Sequence, residues 1–421
     1  MRKATFWLSL ALVFVIPLEN AIVIPGLGRL SRAIGLLVAA FWVATIIITG
    51  KARKPRPIHA VIVLFVLWNA ASVLWSLDLD RTTDRILTYF QLFGMVMVIW
   101  DLYATPTALH AGLQAYVLGA YVSLGGAIYN FVHAQEFYYQ RYTGMKMHVN
   151  DLALILVLGL PVAWYLALHQ GEHGRRSYWL TVINYLYVPL AILVVLLTAS
   201  RGAVVAALPA LLYIFLSLHR LKLHIRFLLF VLLAGSLFVL LPFVPESSFQ
   251  RLAATEVVVL EGDLNGRLEI WREGFITFTM HPWIGVGSGV FRTAATETGK
   301  LAHNFVISLL VELGIIGFLL YAAILAMAVY HALDQPARSR QLWLAMLMVW
   351  IIGATTHNWE YRKQTWLFLS FVTVSASVYA RREESGLLMK LPDRPRAWAD
   401  RRRLAANQAA QTVGEAPIRR A

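Results

Sequence analysis

The feature that most constrains this chain is an apolar run of about twenty residues that recurs along almost its whole length. An α-helix rises about 1.5 Å per residue, so about 20 residues cross the ~30 Å hydrocarbon core of a bilayer. Twelve such runs can be read, at roughly 5–24, 31–50, 58–76, 86–104, 109–132, 151–169, 178–198, 203–219, 226–244, 303–331, 341–357 and 364–380. They are too long for strands and lack period-two alternation, which predicts helices rather than a β-barrel. The expected fold is an all-α integral membrane protein with about twelve transmembrane helices and one large outer loop. Composition agrees: 59% of the residues are hydrophobic and 14% charged, too little polar surface to solvate a globule of 421 residues. The first run follows Arg2 and Lys3 like a signal peptide, but no small-x-small cleavage site closes it and the next run begins at once, so an uncleaved first helix is expected. With no cysteine, disulfide and thiol chemistry are excluded.

Basic residues set the orientation. With the N-terminus cytoplasmic, Arg2, Lys3, KARKPRP, HGRR, HRLKLHIR, PARSR and the arginine-rich tail all fall on the inner side, the positive-inside pattern. Much of the net charge of +14 is then topology. Basic residues scattered over short loops and a tail make a poor nucleic-acid surface, so no nucleic-acid partner is expected. The chain divides into spans one to nine (1–244), a large outer loop (245–302), spans ten to twelve (303–380) and a basic cytoplasmic tail (381–421). The tail has few large apolar residues and is expected to stay disordered or to lie on anionic headgroups. In the outer loop, Leu268, Trp271, Phe275 and Phe278 recur at spacings of three and four, which predicts an amphipathic helix lying on the membrane surface, Trp side down. HPWIGVGSG then ends that helix. Its glycines are not followed by Gly-Lys-Ser/Thr and follow no strand, so they read as a turn rather than a phosphate loop.

Three polar sites land on the outer face under this threading. Arg201, in TASRG between spans seven and eight, is costly at membrane depth unless paired or facing a polar cavity; its planar fork suits phosphate oxygens, with a snorkelling or salt-bridged structural arginine as the alternative. Arg267 opens the loop helix, where an ordinary surface role competes with that of a second fork on the same pyrophosphate. His303, followed by Asn304, stands at the mouth of span ten, and with an unperturbed pKa of about 6.5 it can take a proton from a hydroxyl near neutral pH. A lone interfacial His is commonly a plain hydrogen-bonding residue, but here two arginines share its side. Glu312, nine residues into the span, falls on the opposite side of the helix from His303 and reads as structural, in a polar seam with Asn304 and Ser308. DLD at Asp78 to Asp80 resembles a metal-binding motif of nucleotide-sugar transferases but lies in a short outer loop, where nucleotide sugars are not supplied. No His-x-x-x-His, HExxH or acid-rich triad occurs elsewhere, so no metal and no cofactor is expected. The tyrosines of EFYYQRYTGMKMH read as an interfacial aromatic belt, with sugar stacking as the alternative.

Taken together, SRG at Ser200 to Gly202, GR followed by Trp271, the HPWIGVGSG turn and the closing His-Asn motif resemble the O-antigen ligase and polymerase superfamily. Ligases of that superfamily carry His followed by Asn, Ser or Gln, then nine residues, then Gly-x-x-Gly-Thr. Here His303 and Asn304 are followed by nine residues, then Gly314 and Gly317, with Phe318 where Thr is usual. The motif region covers about 190 to 330. The resemblance implies an enzyme of the inner membrane, its outer loop and active site periplasmic, both termini cytoplasmic. It would transfer a glycan from undecaprenyl pyrophosphate to a sugar hydroxyl of lipid A-core by one inverting, metal-independent displacement. His303 would be the catalytic base, Arg201 and Arg267 the pyrophosphate ligands, and Asn304, Ser200, Gly202 and Arg272 supporting residues. O-antigen polymerase and protein O-oligosaccharyltransferase are related alternatives; a transporter or flippase is the alternative of a different class, though no internal repeat is found.

Overall fold

The computed structural model describes residues 1–19, 21–26, 28–133, 137–138, 141–169, 177–240, 246, 266–296 and 299–384. Nine helices precede the outer loop: α1 (Arg2–Val15, extended by a 3-10 turn, Ile16–Leu18), α2 (Leu30–Thr49), α3 (Pro57–Ala71), α4 (Leu79–Leu102), α5 (Pro106–Val132), α6 (Val149–His169), α7 (Tyr178–Leu197), α8 (Arg201–Ser217) and α9 (Leu223–Leu240). Among the described residues the loop contributes α10 (Arg267–Met280) and the single turn α11 (Phe291–Ala294), and α12 (Phe305–Leu333), α13 (Ala337–Ala354) and α14 (Lys363–Glu384) follow. Strands among the described residues are limited to two antiparallel hairpins of two-residue strands, β1 (Val23–Ile24) with β2 (Gly28–Arg29) and β3 (Phe137–Tyr138) with β4 (Arg141–Tyr142).

The protein is an all-α integral membrane protein. A helix occupies each of the twelve apolar runs, and eight of them are long and apolar enough to cross a membrane by length and composition. Their burial separates peripheral from central helices. Most of α2 faces outward, with Ile47 and Ile48 exposed as lipid-facing side chains would be, whereas α6 is 94% buried over its most apolar window. The interior helix α14 buries Thr365, Ser370, Thr373, Ser375 and Ser377, each satisfied by a hydrogen bond inside the protein. Phe65, Tyr89, Tyr321 and Trp366 meet ring to ring where α3, α4, α12 and α14 cross.

Polar contacts collect at the two ends of the bundle. At one end Asp101 accepts from Arg2 at 3.0 Å and from the Arg53 backbone at 2.9 Å. At the other, Glu19 is ringed by Arg29 at 3.2 Å, Arg362 at 3.5 Å and Lys363 at 2.6 Å. Successive loops thus alternate between the ends, as antiparallel threading requires.

The span expected as one continuous helix from 303 is broken. Within α12, Gly314 adopts φ 65° and ψ −171°, a conformation open essentially to glycine alone, and divides the helix after residue 313. The loop expected as a plain turn seals the break. Val286 N–H donates to Val311 O at 2.9 Å, Gly287 N–H to Glu312 O at 2.9 Å, and Ile315 N–H to Pro282 O at 2.8 Å, while Trp68 Nε1 donates to Leu313 O at 3.0 Å. Irregular backbone at membrane depth persists only where protein satisfies it, and HPWIGVG does so here. Its glycines answer to close approach: a Cβ on Gly285 would lie 2.5 Å from the Glu312 backbone.

Loop helix α10 also differs from expectation. Trp271 and Phe278 pack inward with Ile270, Val290 and Phe291, and Trp271 Nε1 donates to Ala302 O at 2.7 Å. Leu268 and Phe275 are exposed on the other side. The stripe read as one membrane-facing surface is split, because the 282–291 turn folds back beneath α10 and claims half of it. Of the outer loop, residues 245, 247–265 and 297–298 lie outside the described residues, as does the tail beyond Glu384.

Candidate active site

Among the helices that begin at the Glu19 end of the bundle, the N-termini of α6, α8, α10, α12 and α14 converge. Arg141, on β4, ties the start of α6 to the end of α7, its Nε donating to Thr198 O at 2.6 Å and its second nitrogen to Asn150 Oδ1 at 2.5 Å. Arg201 is the first residue of α8, behind the buried Ser200 and an Ala199 held at φ 46°. Arg267 is the first residue of α10. His303 precedes the Asn304 cap of α12, and Asp151 lies in the first turn of α6. Loop 355–362 leads into α14. Helix N-termini expose unpaired N–H groups and positive partial charge, so the convergence favours an anion before any side chain is counted.

The side chains add to that field. The three leading candidates from the sequence come together: the charge of Arg201 acts on Arg267, and the charge of Arg267 acts on His303. Burial and the Arg201 charge hold Arg267 below its ordinary pKa, which places the two guanidinium charges within reach of one another. His303 is pushed down to about 4, first by burial, then by Arg267, His357 and His148, with Asp151 opposing. Its φ of 48° is rare for a non-glycine residue, and its backbone N–H is pinned to Asn358 Oδ1 at 2.7 Å. Strained backbone of this kind survives where the surroundings over-determine it.

The supporting residues separate. Asn304 caps α12, its Oδ1 accepting from Val306 N at 2.9 Å. Gly202 lets α8 meet the 355–362 loop, since a Cβ there would lie 2.7 Å from Thr356 Oγ1. Arg272 is exposed on α10, because one face of that helix is taken by the 282–291 turn and Arg272 projects from the other. The nine residues between Asn304 and Gly314 form the first half of the broken helix. Within it Ser308 donates to Glu360 Oε1 at 3.0 Å, and Glu312 accepts from Gly289 N at 2.8 Å and faces Arg85 at 3.5 Å. Burial, reinforced by Glu312 and opposed by Arg85, raises the Glu360 carboxyl to about 7. Asp78 caps α4 through Arg81 N, so the DLD motif is satisfied as a helix start. Among the described residues no group of three or more His, Cys, Asp or Glu side chains is placed to hold a metal ion.

Sequence reasoning missed the contribution of HNWEYRK. Asn358 pins His303; Trp359 Nε1 donates to Asp151 Oδ1 at 2.9 Å; Arg362 bonds Asp151 Oδ2 at 2.8 Å; and His357 lies buried beside them. The density of polar residues in a seven-residue connection was the available signal. Nothing in their spacing tied them to His303, more than fifty residues earlier.

Residues 186–322 match the family model described as O-antigen ligase. Over that segment the chain is similar to the O-antigen ligase family. It is also 27% identical over 314 residues to an O-antigen ligase of Pseudomonas aeruginosa, a match covering 70% of this chain and 71% of that protein. The segment matched by the family model contains Arg201, Arg267 and His303, whereas His148, Asp151 and the 355–362 loop lie outside it and join the site only through the fold.

Proposed function

We propose that this protein transfers a glycan from undecaprenyl pyrophosphate to a sugar hydroxyl of lipid A-core. The site would lie on the periplasmic face of the inner membrane, with both termini cytoplasmic. The observation that carries the reading is the juxtaposition of Arg201, Arg267 and His303 where helix N-termini converge. Two planar forks match the oxygens of a pyrophosphate, and a neutral imidazole beside them is the base needed to move a group from that leaving group onto a hydroxyl.

The reaction is a single inverting displacement. His303 takes the proton of the acceptor hydroxyl as its oxygen attacks the anomeric carbon, and the C–O bond to the pyrophosphate breaks with its electrons on the phosphate oxygen. Arg201 and Arg267 hold the departing charge, an interaction that strengthens towards the transition state and so lowers the barrier. The pyrophosphate already activates the sugar, so no nucleotide is required. The same anion prepares the base: seated between the arginines, it offsets the field that depresses His303 and brings its pKa back towards the range where an imidazole is an effective proton acceptor.

The test is complementation of a strain lacking the protein, read from its lipopolysaccharide and lipid-linked glycans. Unmodified lipid A-core with long polymer retained on undecaprenyl pyrophosphate, restored by wild type but not by His303→Ala at equal membrane abundance, is the expected result. Core capped with a single repeat would instead mark a polymerase, and an unchanged ladder would refute both.

A further inference from the structure

A general base works best when its ring is held in one orientation and one tautomer by a second group. The ring of His303 has no hydrogen-bond partner among the described residues; only its backbone is held, by Asn358. Most nearby acceptors are already engaged. Asn304 Oδ1 caps α12, Asn358 Oδ1 takes the His303 N–H, Asn150 Oδ1 takes Arg141, and the two Asp151 oxygens take Trp359 and Arg362. His148 is exposed, with Nδ1 facing the Asn150 N–H at 3.3 Å.

His357 is different. Its Nδ1 lies 3.0 Å from Gly353 O, which can only accept, and 2.8 Å from Thr356 Oγ1, whose own proton is directed to Gly353 O at 2.9 Å. That network puts the proton on Nδ1 and the lone pair on Nε2. Nε2 is buried and has no partner. A buried acceptor left open costs about 1–3 kcal/mol, so it calls for a donor. It cannot serve the pyrophosphate, which offers only acceptors. The adjacent residue, Asn358, already grips the His303 backbone at 2.7 Å, and the charge of His357 reaches His303. The Asn358 contact thus brings the residue next to His357 onto the His303 backbone.

We propose that His357 is the positioning residue for His303, its Nε2 accepting the N–H of the His303 ring so that the other ring nitrogen faces the incoming hydroxyl. The inference rests on the assignment of His303 as base. With its proton on Nδ1, a neutral His357 offers the His303 ring N–H an acceptor, which fixes the ring orientation and the tautomer that faces the hydroxyl. The other groups whose charge reaches His303 are Arg267 on α10, His148 and Asp151 at the start of α6, and His357 itself. The variants below leave the first three unchanged.

Two substitutions separate this role from a structural one. In His357→Asn the side-chain amide can replace Nδ1 towards Gly353 O but removes the acceptor at Nε2. In His357→Gln the longer side chain returns an acceptor near Nε2. Purified protein in lipid nanodiscs would be assayed with an undecaprenyl-pyrophosphate glycan and lipid A-core, with His303→Ala alongside. Because general-base catalysis is worth about 10²–10⁴-fold, loss of its positioning partner should cost at least about tenfold in kcat with KM nearly unchanged. The expected result is that His357→Asn shows that loss in kcat, while His357→Gln recovers most of the rate. If His357→Asn matches wild type while His303→Ala is inactive, the positioning role is refuted and the base assignment stands. If His303→Ala itself is active, the base assignment falls and this inference with it.

Discussion

Replacing Gly314 by alanine tests how the active site is carried. Gly314 sits at φ 65° and ψ −171°, where a side chain costs about 1–3 kcal/mol in backbone strain alone. An added Cβ would also stand 2.3 Å from Trp283 O and 2.5 Å from Ile284 N, both backbone atoms that no rotamer change can move. The turn must therefore back away, loosening the hydrogen bonds from Val286, Gly287 and Ile315 across the break. At about 0.5–1.5 kcal/mol each, these bring the total to about 3–7 kcal/mol, comparable with a whole-domain stability of about 5–15 kcal/mol. The expected outcome of Gly314→Ala is a large drop in folded protein in the membrane and in the thermal midpoint of whatever is purified. The control is Gly125→Ala in α5, where an added Cβ meets nothing within 4 Å; it should be neutral or stabilising by up to ~1 kcal/mol. If Gly314→Ala accumulates, melts and transfers glycan like the control, the sealed break does not hold the site.

His303 must be neutral to act, and in the free protein it is neutral above about 4, so kcat/KM for the donor should stay level with falling pH until that region. With donor bound, the anion raises its pKa, so kcat should fall at a higher pH than kcat/KM; coincident limbs would refute the proposed coupling. Arg201→Lys and Arg267→Lys keep the charge but lose the fork, and each should cost about 1.5–3 kcal/mol of transition-state binding, or roughly ten- to a hundredfold in kcat/KM, measured in the nanodisc assay. Asp151→Asn keeps an acceptor for Trp359 but removes the anion facing Arg362 at 2.8 Å, and should destabilise by about 1–3 kcal/mol in a thermal melt. It also deletes a charge that supports protonated His303, so the acidic limb of kcat/KM should move lower still.

The sequence by itself determined the class of fold, because crossing hydrocarbon demands about twenty apolar residues per helix and leaves no alternative use for so many such runs. It also singled out Arg201, Arg267 and His303, since charged or titratable residues beside apolar helices stand out against their surroundings. The spacing of His303, Asn304 and Gly314 was visible as a pattern, but its meaning as one half-helix ending at a break was not. That break depends on the 282–287 turn arriving from elsewhere with hydrogen-bonding groups to fill it. The exposed side of α10, the Thr356 contact that requires Gly202, and the placement of His357 to Arg362 around His303 were likewise decided by tertiary structure. Local periodicity records which face of a helix is apolar, while the neighbour that covers it, and the loop that packs against His303, are settled only when distant segments pack.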